Sequence, residues 1–319
     1  MENFGKQDAG VLLQEPTEEK LIASPYSYEN KEEEVSFEDF MDMVEDKLSE
    51  TEKKENETKQ DFLNRIKEEK KLFLENIKDE KKKNAAKVMF DAQEYVNQFK
   101  LGLEEGELPI KLKGSELQRD VANFIFENKN KEEVAELWRM YDKFFKLGGD
   151  ETKILGEGMK SAILSMVGLK KILTKNYFMD VGFSDPRIDV FYSIDMMASA
   201  KTKDKDEKLL LLQIKSLSEN KVSKLKWEQF DNGNFDWTTG IGDKENNFLK
   251  GCNHFLNDKS DELNQIGKKN ISALFVCLPV ANGNFPLINI DGESSKILEE
   301  YVVQKLDESN LRLAKRKSM

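Results

Sequence analysis

The sequence predicts an α/β protein preceded by an α-helical region, and three observations predict it. From residue 150 onward, short apolar runs rich in branched and aromatic residues alternate with helix-periodic stretches. That is the pattern of strands packed under helices. Before residue 150, Glu and Lys dominate and the apolar residues fall at helical spacing. Charge divides at the same place: 25 basic and 37 acidic residues precede residue 151, against 25 and 24 after it.

The elements follow in order. Residues 1–35 are polar, contain Pro16, Pro25 and the run Glu32-Glu33-Glu34, and predict a disordered tail. Residues 36–149 predict an acidic helical region. Ser36, with Asp39 three residues on, opens a helix. Phe62, Ile66, Phe73 and Ile77, spaced by 4, 7 and 4, predict a long solvated helix or short coiled coil. Gly114-Ser115 opens a later helix. Glu132 to Leu147 forms another, stopped by Gly148-Gly149. Residues 150–306 predict the α/β domain: a helix over Leu155 to Leu173, then strands at Tyr177 to Phe183, Arg187 to Ile194 and Lys208 to Ser216. A polar and aromatic loop spans 217–243, and a helix runs from Lys244 to Ile266. Strands at Ser272 to Leu278 and Pro286 to Ile290 and a helix over Ser294 to Leu306 close the domain. Residues 307–319 predict a basic, solvated tail.

Several function classes are excluded. A single histidine, His254, rules out multi-histidine zinc sites and disfavours a serine-protease triad. Cys252 and Cys277 have neither metal-ligand spacing nor the look of a disulfide framework, which fits a reduced, cytoplasmic setting. Met1 to Lys6 lack an apolar segment of the secretory kind. The longest apolar run, Ile271 to Val280, is about half of what a membrane span needs. No glycine-rich phosphate loop follows a strand.

What carries chemistry is an aspartate, Asp189, on one apolar run and Gln213-Ile214-Lys215 on the next. Alternate residues of a strand share a face, so Gln213 and Lys215 point the same way and Ile214 points into the core. An aspartate on a paired strand can reach the same spot. Oxygen ligands of this kind suit Mg²⁺ or Mn²⁺. Lys215 would orient the attacking water and offset charge in the transition state of phosphodiester hydrolysis.

This constellation resembles the PD-(D/E)XK nuclease superfamily, over about residues 150–305. The resemblance implies a restriction-endonuclease-like αβββαβ core. In that pattern Asp189 is the metal-binding aspartate, preceded by Asp185-Pro186. Gln213 stands at the D/E position, and Lys215 is the lysine. Gln213 departs from the commonest form, because an amide oxygen brings no charge to a metal. The metal ligands implied are Asp189, Gln213, the Ile214 carbonyl and Glu157 of the first helix, the last through water or a second ion. Lys221, Lys224, Lys226 and Trp227 interleave basic and aromatic character, which suits contact with single-stranded nucleic acid.

The expected function is Mg²⁺-dependent hydrolysis of DNA, or of RNA, by a cytoplasmic enzyme. The N-terminal helices would serve a protein partner or self-association. The alternative is a catalytically inactive nucleic-acid binder or protein-interaction adaptor.

Overall fold

A computed structural model describes residues 35–49, 56–101, 107–217, 226–231, 235, 242–263, 266–267, 270–279 and 288–316. The tail expected over residues 1–35 therefore lies outside the described residues except for Val35, as does the start of the short strand expected at Pro286.

Five helices come first: α1 (Phe37–Ser49), α2 (Lys59–Glu75), α3 (Glu80–Leu101), α4 (Glu107–Glu127) and α5 (Lys131–Leu147). Where the sequence predicts one long solvated helix or short coiled coil, the chain forms two helices, α1 of 13 and α2 of 17 residues. α1 buries Phe40, Met41, Val44 and Leu48, and α2 buries Phe62 and Ile66, both against α3. Their apolar stripes are narrow because each meets only one or two neighbours. α4 runs straight through Gly114-Ser115, where a helix start was expected. Gly114 lets α4 lie close on α3, because a Cβ there would sit 3.1 Å from the Tyr95 ring. α5 ends at Gly148 as the sequence predicts.

Lys113 of α4 joins the bundle to α3. It bonds Asp91 at 2.8 Å and Glu94 at 3.2 Å. Asp91 is wholly buried and also meets Lys70 and Lys87. Burial alone would raise the Asp91 pKa, but Lys70, Lys113 and Lys87 outweigh it and hold the carboxyl below its ordinary value.

α6 (Asp150–Asn176) then leads into a five-stranded mixed sheet. Its strands are β1 (Met179–Phe183), β2 (Met196–Lys201), β3 (Glu207–Leu217), β4 (Lys226–Phe230) and β5 (Ile271–Pro279), in the spatial order β1-β2-β3-β5-β4. β3 and β5 are parallel and the other pairs antiparallel. Between them lie α7 (Pro186–Tyr192), α8 (Asp243–Asp258) and α9 (Ser260–Leu263), and α10 (Lys296–Glu308) follows β5. β3 is central and buried on both sides, which is why it reads as an unbroken Leu209-Leu210-Leu211-Leu212 run. Leu210, Leu212 and Ile214 face the large core shared with α6 and the helical bundle. Leu211, Ala273 and Phe275 face a smaller core under α8.

Residues 217–243 are not wholly loop, because β4 lies within them and pairs with β5. Residues 187–194 are not a strand. Asp185 caps a helix, its side chain accepting from the Arg187 N–H at 2.9 Å, with Pro186 at the first position. Ser193, left-handed at φ 54°, ends it. Ile188 and Tyr192, four residues apart, pack on the smaller core, so a helical period governs this β-prone segment. The partner of β3 is the Met196–Lys201 strand, whose buried Met196, Ala198 and Ala200 alternate with more exposed residues. The basic tail is also docked rather than solvated. Leu311 and Leu313 are buried, and the chain bridges back to Tyr177 and Thr202.

α7 lies close on α8. A Cβ at Gly251 would fall 1.9 Å from the Tyr192 carbonyl oxygen. Gly251→Ala is therefore expected to cost about 1–3 kcal/mol by forcing the two helices apart. Chemical denaturation would read this as a lower midpoint.

Candidate active site

At the end of β2 the sheet opens. The last β2–β3 pair is Met196 with Leu212. One residue earlier, the Asp195 N–H still donates to the Leu212 carbonyl at 2.9 Å. Beyond that, the Asp195 carboxylate replaces the main chain: its Oδ2 accepts from the Ile214 N–H at 2.6 Å. β2 thus peels away from β3 where Gln213 and Lys215 begin, and an aspartate stands at the gap.

Gln213, 5 % exposed, and Lys215 share the face of β3 that carries Leu211, while Ile214 points into the main core. This is the alternation expected from the sequence. The aspartate at the paired strand is Asp195, the residue before β2, not Asp189.

Asp189 reaches the same place by another route. It sits on α7 and comes within hydrogen-bonding reach of Asp195. Its Oδ2 accepts from the Ser115 hydroxyl of α4 at 2.5 Å. Burial raises the Asp195 pKa to about 8. The Asp189 charge adds to the rise, and Lys215 and the Ile214 N–H oppose it.

The remaining expected residues lie elsewhere or outside the description. Glu157 is exposed on α6 and lines a cleft of about 470 Å³ with Asp142, Lys146 and Lys160 of the α5–α6 junction. Among the described residues no contact joins it to Asp195, Gln213 or Lys215. Lys221 and Lys224 lie outside the described residues. Lys226 opens β4 and is engaged by Glu245 and, at 2.9 Å, by Glu228. Trp227 turns its ring to the opposite face, against the main core. Neither is arranged as a stacking platform.

The donor set suits a hard divalent cation. It comprises two carboxylates, the Gln213 amide oxygen and main-chain carbonyls, all oxygen. Desolvation is the largest cause of the raised proton affinity of Asp195, followed by the Asp189 charge. Among the described residues no group of three or more His, Cys, Asp or Glu side chains converges. A cation here would therefore rest on two charged ligands and neutral oxygens.

Sequence reasoning missed Asp195 and Ser115. The signal for Asp195 was present in two places: the Asp185-Pro186 helix start, which removes 187–192 from the sheet, and the period-2 burial of Met196, Ala198 and Ala200. Ser115 left no local signal, because its role depends on α4 meeting α7. Among the described residues no helix is long and apolar enough to cross a membrane. No protein-family model, no curated protein and no solved structure matches this chain.

Proposed function

We propose that the chain is a metal-dependent nuclease of the PD-(D/E)XK type, with Asp195 rather than Asp189 as the aspartate at the strand paired with Gln213-Ile214-Lys215. One observation carries this reading: Asp195 stands where β2 leaves β3, against a Gln-x-Lys pair that shares one face. The order α6-β1-β2-β3-α8-β5, with α7 and β4 inserted, supports the αβββαβ core. The all-oxygen donor set of Asp189, Asp195 and Gln213 supports a resident Mg²⁺ or Mn²⁺.

Asp195, Gln213, the Ile214 carbonyl and Asp189 would hold the ion. When bound, the ion supplies Lewis-acid polarisation of the scissile phosphate. Asp195 stays fixed by the Ile214 N–H, so its carboxylate is oriented before any ligand arrives. Lys215 presents a cation on the same face. It orients the attacking water and offsets the charge that develops on the phosphoryl oxygens. The helical bundle closes one side of the site through α4, and its acidity discourages indiscriminate contact with phosphates. The substrate is DNA, with RNA as the other arm of the test.

The experiment is cleavage of labelled single- and double-stranded DNA and RNA with Mg²⁺ or Mn²⁺. Lys215→Ala is expected to lower the rate about 10²–10³-fold while leaving substrate affinity within a few-fold. Salt-sensitive binding without cleavage, unchanged by Mg²⁺, would point instead to a non-catalytic binder.

A further inference from the structure

The site is bordered by a helix that belongs to the N-terminal bundle, and two polar contacts in register dock it there. On α4, Ser115 donates to Asp189 and Arg119, one turn on, meets Asp185 at 3.7 Å. On α7, Asp185 and Asp189 are likewise one turn apart. The two helices therefore pair residue for residue, 115 with 189 and 119 with 185. Ser115 is 7 % exposed, so its hydroxyl is committed to this contact and shielded from water. α4 is itself fixed from behind by Lys113, two residues earlier, on Asp91 and Glu94.

We infer that Ser115 is a positioning residue for the metal site: it fixes one Asp189 oxygen and leaves the other to face Asp195, so that the helical bundle completes the site. The inference rests on the nuclease reading above. Loss of the hydroxyl releases the Asp189 side chain to rotate on α7, and one of the two charged ligands is no longer held in place. Hydrogen-bond partners of metal-ligating carboxylates typically change metal affinity by about 10–100-fold when removed.

The test is Mn²⁺ binding by titration calorimetry to the full chain, compared across wild type, Ser115→Ala, Ser115→Thr, Asp189→Asn and the Ser115→Ala/Asp189→Asn double variant. Thermal unfolding of each metal-free protein checks that it is folded. Ser115→Ala is expected to weaken Mn²⁺ binding about ten-fold. Ser115→Thr, which keeps the hydroxyl, should restore it to within about two-fold on the same grounds. Because Ser115 acts through Asp189, the double variant should bind no more weakly than Asp189→Asn alone. Equal Mn²⁺ affinity in wild type and Ser115→Ala would overturn the inference while leaving the nuclease reading in place. So would an additive loss in the double variant, which is what a general packing defect gives. A wild type that neither binds Mn²⁺ nor cuts nucleic acid would overturn the reading itself, and the inference with it.

Discussion

Asp195→Asn is expected to abolish metal-dependent cleavage and, in the same molecule, to stabilise the metal-free fold at neutral to alkaline pH. The two effects have one cause. Asp195 is held against Asp189 where burial and like charge oppose ionisation, so its folded-state pKa lies near 8. The unfolded value is about 3.9. The folded protein therefore binds more protons than the unfolded chain between those limits. Its stability is full below the unfolded pKa and falls as pH rises through the folded one. Each unit of raised pKa corresponds to about 1.4 kcal/mol. Asparagine carries no charge, so the decline between about pH 4 and 8 should flatten, leaving the variant more stable than wild type at pH 8. Its amide oxygen can still accept from Ile214. Added Mg²⁺ should have the same flattening effect on wild type and little effect on the variant. Denaturant titrations at pH 5, 7 and 8, with and without Mg²⁺, read both. A wild type whose stability rises over this range would contradict the assignment.

The largest loss of stability is expected from Asp91→Ala. This carboxylate is wholly buried and balances Lys70, Lys87 and Lys113, which come from α2, α3 and α4. Removing it leaves three cations around a void. Breaking a buried ion pair from one side costs about 3–5 kcal/mol, because the remaining charges stay desolvated and unpaired. Asp120, Glu94 and Glu116 also reach Lys87 or Lys113, and they limit the loss. The pH dependence runs opposite to that of Asp195. The Asp91 pKa is depressed in the folded state, so its contribution is present above the unfolded carboxylate pKa of about 3.9 and fades as pH falls below it. Wild type should lose this increment in acid, and Asp91→Ala should have none to lose. Denaturant midpoints at pH 7 and pH 3.5 measure the difference. Equal midpoints at pH 7 would show that the lysines find other partners.

Much of the fold was legible because its strongest signals are local. Gly148 stopping α5, the apolar runs at Leu209–Leu212 and Ile271–Leu278, and the helix before β1 all follow from period and caps. The Gln213–Lys215 face follows from strand alternation alone. What misled is equally physical. Ile188, Val190, Phe191 and Tyr192 have strand propensity, yet Asp185 and Pro186 start a helix and α8 offers it a groove at Gly251. That exchange moved the strand's aspartate from 189 to 195, six residues along. The remaining features depend on contacts distant in sequence. Ser115 meets Asp189 only because α4 lies against α7. Lys226 meets Glu245 because β4 runs beside the start of α8. Glu157 has the right helix but sits over the α5–α6 cleft.

The central claim is that a divalent ion binds between Asp195 and the Gln213–Lys215 face. The most direct test is a crystal of the full chain soaked in Mn²⁺ and measured for anomalous scattering. The expected result is one strong peak within about 2.0–2.6 Å of an Asp195 oxygen, absent from Asp195→Asn. A peak only at other carboxylates, such as Glu157 and Asp142, or one unchanged in Asp195→Asn, would contradict it.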